Sequence, residues 1–400
     1  MAATLWLFIM LENTTPKLEI AHIGPIQKAV IEFGDLTVFI GPQASGKSIV
    51  LQLFKLLFDV GHIQAELQRH GSDWQGRLEG FLDLYFGEGM HRIWSAESRV
   101  IWQGKPVDFE GLAKRKHKIK NEAMFFIPAQ RVLALREGWP RPFTDYSPGD
   151  PYAVREFSEK LRLLMDQEVF ASEKLFPLKN RLKSAYQGLL RDHIFATLEL
   201  QVDRLRSQKR LVLGEEGTAP LPYMVWSAGQ REFVPLLLGL YWLLPIGSKS
   251  RQRTGIEWVL IEELEMGLHP RAISVLLLLV LELMSRGYKV CLSTHSSQIL
   301  DMVWTLRHCL ESKASPERLL ELFSLDQSPS LCAMLSHLTE KQLRVFYFDK
   351  SMGNVSDISQ LDPCANDVHE ANWGGLMDFS TRANDLVARL VANADTGVVK

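Results

Sequence analysis

One octapeptide near the N-terminus limits, more than any other stretch, what this chain can fold into. Residues 41–48 read Gly-Pro-Gln-Ala-Ser-Gly-Lys-Ser, which fits the pattern G-x-x-x-x-G-K-[ST]. The apolar run 36–40 before it predicts a buried strand, and residues 48–60 after it carry leucine and phenylalanine at helical spacing. Strand, glycine loop and helix form the geometry that a triphosphate needs. The sequence therefore predicts a phosphate-binding loop.

Each residue type in this loop has a physical reason for its place. Backbone N–H groups at a helix N-terminus point at phosphate oxygens, and Gly41 and Gly46 let the backbone approach without a Cβ clash. We predict that Lys47 contacts the β- and γ-phosphates and that the Ser48 hydroxyl is a ligand of Mg²⁺. The predicted cofactors are ATP and Mg²⁺. The residues assigned to nucleotide binding are Gly41, Pro42, Gln43, Ala44, Ser45, Gly46, Lys47 and Ser48.

The composition narrows the class of protein. The chain is 46% hydrophobic and 23% charged with a net charge of -2, which is typical of a soluble globular protein without a global basic field for nucleic acid. Its four cysteines form no C-x-x-C pair, which predicts a reducing, cytoplasmic environment and no structural metal. No apolar run reaches the roughly 20 residues that cross a bilayer, so no membrane contact is predicted. The apolar start lacks the basic region of a signal peptide, and either Met1 or Met10 is the natural first residue.

A second element carries acidic groups. Residues 256–263 read Ile-Glu-Trp-Val-Leu-Ile-Glu-Glu, an apolar strand that ends in two adjacent acids. The carboxyl end of such a strand lies beside the phosphate loop in a parallel sheet, and neighbouring strand residues point in opposite directions. We predict that Glu262 holds Mg²⁺, directly or through water, and that Glu263 orients and deprotonates the attacking water. The alternative is an exposed strand end without a function.

Three further positions are candidates for the site. Ser227-Ala228-Gly229-Gln230 opens a long apolar helix, where the serine is also a good N-cap residue. Gln130 follows the predicted strand 123–127, and the adjacent Arg131 is an equally plausible phosphate partner. His295 follows the predicted strand 288–293.

The sequence V-L-I-E-E-L-E-M-G-L-H-P at 259–270 resembles the Walker B and D-loop region of ABC-type ATPases of the SMC, RecF and OLD lineage. It departs from that family at Glu262, where aspartate is usual. Ser227 to Gln230 is similar to the L-S-G-G-Q signature. The resemblance implies that Ser227, Gly229 and Gln230 contact the γ-phosphate held by another subunit, so that ATP is sandwiched in a homodimer. It also implies that Gln130 is the Q-loop residue, which helps hold Mg²⁺, and that His295 is the switch histidine, which senses the γ-phosphate.

This resemblance predicts an α/β fold, with the mixed or parallel core sheet of an ABC-type P-loop ATPase head, an antiparallel N-terminal lobe and an inserted helical subdomain. Residues 1–150 would carry the P-loop and Q-loop, 151–209 the helical insertion, and 210–400 the signature, Walker B, D-loop and switch histidine. Short aromatic-rich strands are predicted at 78–86, 91–95 and 99–103.

The closing segments 344–358 and 373–390 look like those of compact AAA-15/AAA-21-type ATPases of bacterial anti-phage systems. Within these ATPases, the chain most resembles the AriA family of PARIS systems. That resemblance implies a larger homo-oligomer that restrains a toxic TOPRIM-type nuclease (AriB-like) and releases it on sensing a phage trigger protein. The alternative is a DNA-binding ATPase of the RecF/SMC type, for which the run 114–120 and the insertion offer the basic charge. A transporter subunit is a third, less favoured hypothesis.

Overall fold

The computed structural model describes residues 15–118, 121–167, 174–178, 181–205, 208–215, 217–244, 252–315 and 317–395. The strands are β1 Lys17–Ile23, β2 Ile26–Glu32, β3 Leu36–Ile40, β4 Arg99–Trp102, β5 Lys105–Pro106, β6 Met124–Ile127, β7 Leu135–Arg136, β8 Trp139–Pro140, β9 Lys174–Phe176, β10 Glu199–Leu205, β11 Gln208–Gly214, β12 Leu221–Pro222, β13 Trp258–Ile261, β14 Lys289–Thr294, β15 Leu343–Phe348 and β16 Val355–Asp357. The helices are α1 Lys47–Arg69, α2 Leu78–Phe86, α3 Phe109–Lys114, α4 Tyr152–Gln167, α5 Ser184–Leu190, α6 Ala228–Leu243, α7 Pro270–Ser285, α8 Ser297–Glu311, α9 Glu317–Leu322, α10 Pro329–Ser336, α11 Val368–Ala371 and α12 Asp378–Asp395.

The central sheet has the order β16-β15-β3-β14-β13-β6, and its strands are parallel except for β16. Every residue of β3, β6 and β13 is buried, as expected for parallel strands covered on both faces. The registers align the ends of neighbouring strands, with Ile40 beside Thr294 and Ile261 beside both Leu292 and Ile127. The residues that follow these strands therefore meet at one edge of the sheet, and the predicted mixed α/β fold is confirmed.

The N-terminal lobe is an antiparallel sheet of order β2-β1-β4-β5, as predicted. Two of its predicted strands are wrong, because 78–86 is helix α2 and Met90–Ile93 is a 3₁₀-helix. Leu78, Phe81, Leu82 and Tyr85 are buried at spacings of three and four residues, which is the helical period. The aromatic content of this stretch suggested strands, whereas its periodicity determines the helix.

The segment 151–209, predicted to be an inserted helical subdomain, contains both helices and strands. It contains α4 and α5, but also β9 and β10, and β10 pairs with β11 from Glu199 opposite Gly214 to Leu205 opposite Gln208. Together with β12 these strands form an antiparallel sheet of order β12-β11-β10-β9. The domain division remains a prediction, although the boundary predicted after residue 209 lies inside β11.

A buried ionic cluster joins α1 to β6 and α4. The Lys55 ammonium lies 3.3 Å from Asp59 Oδ2, 3.1 Å from Glu122 Oε1 and 3.0 Å from Glu156 Oε2. Burial opposes the charged form of Lys55, but Glu156, Glu122 and Asp59 raise its pKa well above the usual value. Ligand atoms of His62, Glu122 and Glu156 lie within 4.8 Å of one another, a spacing that could hold a metal ion. Lys55 already supplies the positive charge between the two glutamates, so this cluster is an internal ion network.

Within the part of the chain that the structure describes, no helix combines the length and the apolar character needed to cross a membrane.

Candidate functional site

The loop after β3 requires glycine at two positions for both conformational and steric reasons. Gly41 has φ 141° and Gly46 has φ 102°, values that L side chains rarely adopt. A Cβ atom on Gly41 would lie 2.5 Å from Phe348 O, and one on Gly46 would lie 2.6 Å from Ile26 Cγ1. The backbone of β15 and the side chain at the start of β2 thus press against this loop from outside. Neither glycine can be replaced without moving a neighbour.

Lys47 is the first residue of α1, and its ammonium is turned back toward the loop. Nζ donates to Gly41 O at 2.7 Å and to Pro42 O at 2.8 Å. Burial lowers the pKa of Lys47 to about 8, and the negative charges of Glu263 and Glu265 limit that fall. The loop therefore presents a cation at its mouth, where the predicted β- and γ-phosphates would lie.

The first acid after β13, Glu262, is only 2% exposed. Its Oε2 accepts from the Ala129 amide at 3.0 Å, and its Oε1 has no hydrogen-bond partner among the described residues. Burial raises the pKa of Glu262, while the Ala129 amide and the nearby Ser48 hydroxyl lower it. The structure thus brings together Ser48 and Glu262, two of the three predicted Mg²⁺ ligands, and leaves one buried carboxylate oxygen of Glu262 without a donor among the described residues. Hydroxyl and carboxylate oxygens are the donor set that Mg²⁺ prefers, so the residues present fit this ion.

The second acid, Glu263, has a left-handed backbone with φ 44°. Its amide donates to Ser293 O at 3.0 Å, and its Oε1 lies 3.8 Å from Nε2 of His295. Burial and the charge of Lys47 lower the pKa of His295, against the opposite effect of Glu263. At neutral pH the imidazole is therefore neutral and can donate or accept a hydrogen bond. The predicted base and switch histidine lie side by side.

Glu265 orders the backbone around the histidine, and the sequence interpretation assigned it no role. Its Oε1 accepts from the amide of His295 at 2.5 Å and from the Thr294 hydroxyl at 2.9 Å. The sequence feature that could have indicated this role is the position of Glu265, two residues after Glu263 in the turn that follows β13.

Gln130 and Arg131 follow β6 and differ sharply in environment. Gln130 is exposed and precedes the 3₁₀-helix Arg131–Ala134, beside the Ala129 amide that binds Glu262. The Arg131 side chain is fully buried and donates to the backbone oxygens of Glu262 and Glu263 at 3.0 and 3.1 Å. The alternative interpretation of Arg131 as a phosphate partner is therefore wrong, because its guanidinium is turned inward to the protein.

The N-terminus of α6 is closed by a capping box. Ser227 Oγ accepts from the Gln230 amide at 3.2 Å, and the Ser227 amide donates to Gln230 Oε1 at 3.1 Å. Gly229 packs against the loop after β13, because a Cβ there would lie 3.1 Å from Gly267 O. Among the described residues no hydrogen bond joins 227–230 to the phosphate loop. The capping role of Ser227 is confirmed, and Ser227 itself is exposed.

The capping geometry gives a stability prediction. Ser227→Ala removes one side of the box, so we expect the free energy of unfolding to fall by about 1 kcal/mol. Urea denaturation followed by circular dichroism measures this. Ser380→Ala is the matched control, because Ser380 is an exposed residue within α12 rather than an N-cap, and it should not lower stability. An equal loss in both variants would show that the box contributes nothing.

A mixed, mainly parallel sheet with a phosphate loop after one strand and an acidic pair after another defines a P-loop NTPase head. Residues 36–301 match the family described as "AAA domain, putative AbiEii toxin, Type IV TA system". The chain belongs to this family of AAA domains, and the predicted kinship with AAA-21-type ATPases is confirmed at that level.

Solved structures show a distant likeness. An Smc head bound to the C-winged helix domain of ScpA has a TM-score of 0.40 at 11% identity, covering 86% of this chain and 97% of that one. The Smc head with an extended coiled coil, bound to the C-terminal domain of ScpA derived from Pyrococcus furiosus, has a TM-score of 0.39 at 10% identity, covering 86% and 96%. A dimeric bacterial ABC transporter cassette has a TM-score of 0.34 at 12% identity, covering 85% and 96%. No curated protein matches at a significant level.

Proposed function

We propose that this chain is an ATPase that binds ATP at residues 41–48 and hydrolyses it at the edge of its central sheet. The observation that supports this most directly is the convergence of the side chains from three strand ends. Lys47 and Ser48 follow β3, Glu262 and Glu263 follow β13, and His295 follows β14. These groups suit positioning and charge stabilisation of a triphosphate, which are the main requirements of phosphoryl transfer.

The roles follow from the environment of each group. Ser48 and Glu262 would hold Mg²⁺, with Gln130 as a further ligand, and the ion would offset phosphate charge when bound. Lys47 binds the β/γ oxygens. Glu263 is the partly exposed carboxylate of the pair, so it can accept a proton from water, while the neutral His295 beside it orients that water or senses the γ-phosphate.

A second copy of the chain would complete each site. Ser227, Gly229 and Gln230 lie at a helix N-terminus, where the helix dipole and outward-pointing N–H groups favour a phosphate. Ser227 is exposed, and the capping box already orders this end of α6. Two chains that close face to face would place this end on the γ-phosphate of the opposite copy, which gives a homodimer or a larger homo-oligomer built from it.

The biological role that we propose is restraint of an effector. The family description names a toxin of a toxin–antitoxin system, and the sequence resembles AriA ATPases of PARIS systems. In this proposal the cytoplasmic oligomer holds a TOPRIM-type, AriB-like nuclease and releases it when a phage trigger protein is sensed. ATP-dependent ordering of the dimer interface is the two-state element that the trigger would bias.

Co-expression with the genes next to its own tests this role. We expect a nuclease-like protein to co-purify with the wild-type chain, and less of it to co-purify with Lys47→Ala. Repeated absence of such a protein, together with DNA affinity that falls steeply with salt, would instead support the RecF/SMC-type function. Residues 119 and 120 of the basic run lie outside the described residues, and within 114–118 Lys114 pairs with Glu110 at 3.1 Å and Arg115 pairs with Asp108 at 3.5 Å, so acidic neighbours offset part of its charge.

A further inference from the structure

Arg131 lies between two parts of the proposed site that are far apart in the sequence. Its Nη1 and Nη2 donate to the backbone oxygens of Glu262 and Glu263 at 3.0 and 3.1 Å. Its Nε donates to Glu232 O at 3.2 Å and lies 3.6 Å from Glu232 Oε2. The planar guanidinium is a rigid fork with fixed donor directions. It therefore holds the acidic turn and the first turns of α6 in one relative position.

The acidic turn depends on this support. Glu263 has φ 44°, a backbone conformation that costs energy for a residue with a side chain. Its amide is held by Ser293 O and its carbonyl by Arg131, so both peptide groups around its Cα are fixed. These two peptide planes set the direction of the Cα–Cβ bond of Glu263, from which its carboxylate extends. A shift of the guanidinium would therefore turn the proposed base.

The other end of the connection is the exposed N-terminus of α6. Glu232 lies two residues after Gln230, at the start of the second turn of α6. Gln230 Nε2 also donates to Ile194 O at 3.3 Å, in the inserted segment. Any displacement of this helix end, by a phosphate or by the insertion, moves the carbonyl of Glu232 against Arg131.

We propose that Arg131 is a positioning residue that couples the N-terminus of α6 to the Glu263 carboxylate of the same chain. This inference rests on the proposed two-chain ATP site. When α6 of one copy contacts the nucleotide bound to the second copy, Arg131 of the first copy orients Glu263 of the first copy for hydrolysis. Hydrolysis in one site then depends on nucleotide in the other, and the ATPase is positively cooperative.

The ATPase rate as a function of ATP concentration tests the coupling. For wild type we expect a Hill coefficient of about 1.5 to 2, since two sites are coupled. In Arg131→Lys all donors radiate from one nitrogen and cannot reproduce the three separate donor positions of Nε, Nη1 and Nη2, so the Hill coefficient should fall to about 1. The maximal rate should fall roughly 10- to 100-fold because the base is misplaced, while binding of a fluorescent ATP analogue stays within about twofold.

Two controls separate coupling from a loss of folding. Arg136→Lys makes the same change on an arginine whose side chain is 69% exposed. It should leave the Hill coefficient, the maximal rate and the binding of the ATP analogue unchanged. If Arg131→Lys does not fold, Glu232→Gln weakens the same bridge while the backbone hydrogen bond stays, and it should lower the Hill coefficient with a normal unfolding midpoint.

Mixed dimers give a second measurement. When Lys47→Ala chains are added in excess, the specific activity of wild-type chains should fall, because their α6 faces a pocket without nucleotide. The specific activity of Arg131→Lys chains should not fall further when they are mixed with the same excess of Lys47→Ala chains. A wild-type Hill coefficient of 1, or an Arg131→Lys enzyme that is slower but equally cooperative, would overturn the proposal. If the wild-type chain does not bind or does not hydrolyse ATP, the proposed function itself is wrong.

Discussion

Lys47→Ala should weaken ATP binding by about 100-fold or more. The substitution removes the cation that the loop holds at its mouth, and a hydrogen bond to a charged group contributes about 1.5–3 kcal/mol. Two such contacts to phosphate oxygens correspond to a loss of about two or more orders of magnitude in affinity. Isothermal titration calorimetry with ATP and Mg²⁺ measures this directly.

The control for this change is Lys116→Ala, which removes an exposed lysine of the basic run. We expect it to bind ATP like wild type. If Lys47→Ala keeps wild-type affinity while its unfolding midpoint is unchanged, the phosphate site is not at residues 41–48.

The same lysine sets a pH dependence of ATP affinity. Burial lowers the pKa of Lys47 to about 8 in the free protein, whereas phosphate charges raise it in the complex. Binding therefore takes up a proton when the pH lies between the two values, so affinity is constant below pH 8 and falls as the pH rises above it. The slope approaches about tenfold per pH unit. Lys47→Arg keeps its charge throughout this range and should show no such fall, however weak its binding.

Glu263→Gln should bind ATP and hydrolyse it about 100-fold or more slowly. A positioned general base contributes about 10²- to 10⁴-fold, and glutamine keeps the shape of the side chain without the proton acceptor. Because ATP persists, the variant should accumulate as an ATP-bound dimer. Light scattering after size-exclusion chromatography, with ATP compared with ADP, detects that species.

Glu257→Gln is the matched control, since Glu257 is exposed at the opposite end of the strand that leads to Glu263. It should turn over at the wild-type rate. Normal turnover in Glu263→Gln would remove this residue as the base. A slow variant that stays monomeric with ATP would contradict the two-chain site while leaving the base assignment in place.

Local sequence patterns were sufficient to predict the parts of the candidate site that are formed by residues adjacent in the chain. The phosphate loop is one continuous strand, loop and helix, and the Ser227 cap acts within four residues. The gathering of Glu262 and His295 beside the loop was also predictable, because parallel strands place their carboxyl ends at one edge. Secondary structure was less predictable: residues 78–86 are helical, and residues 199–205 form a strand through pairing with 208–214.

The sequence alone thus determined the phosphate loop, the acidic strand end and the mixed α/β core. Only the tertiary structure decided what Arg131 and Glu265 do. The acceptors of Arg131 lie 101, 131 and 132 residues further along the chain, and Glu265 acts on residues 29 and 30 positions away. Such partners leave no trace in local periodicity, since a guanidinium or a carboxylate is chemically the same whether it meets a phosphate, a metal ion or a backbone group. What each one meets is decided by the chain segments that packing brings around it.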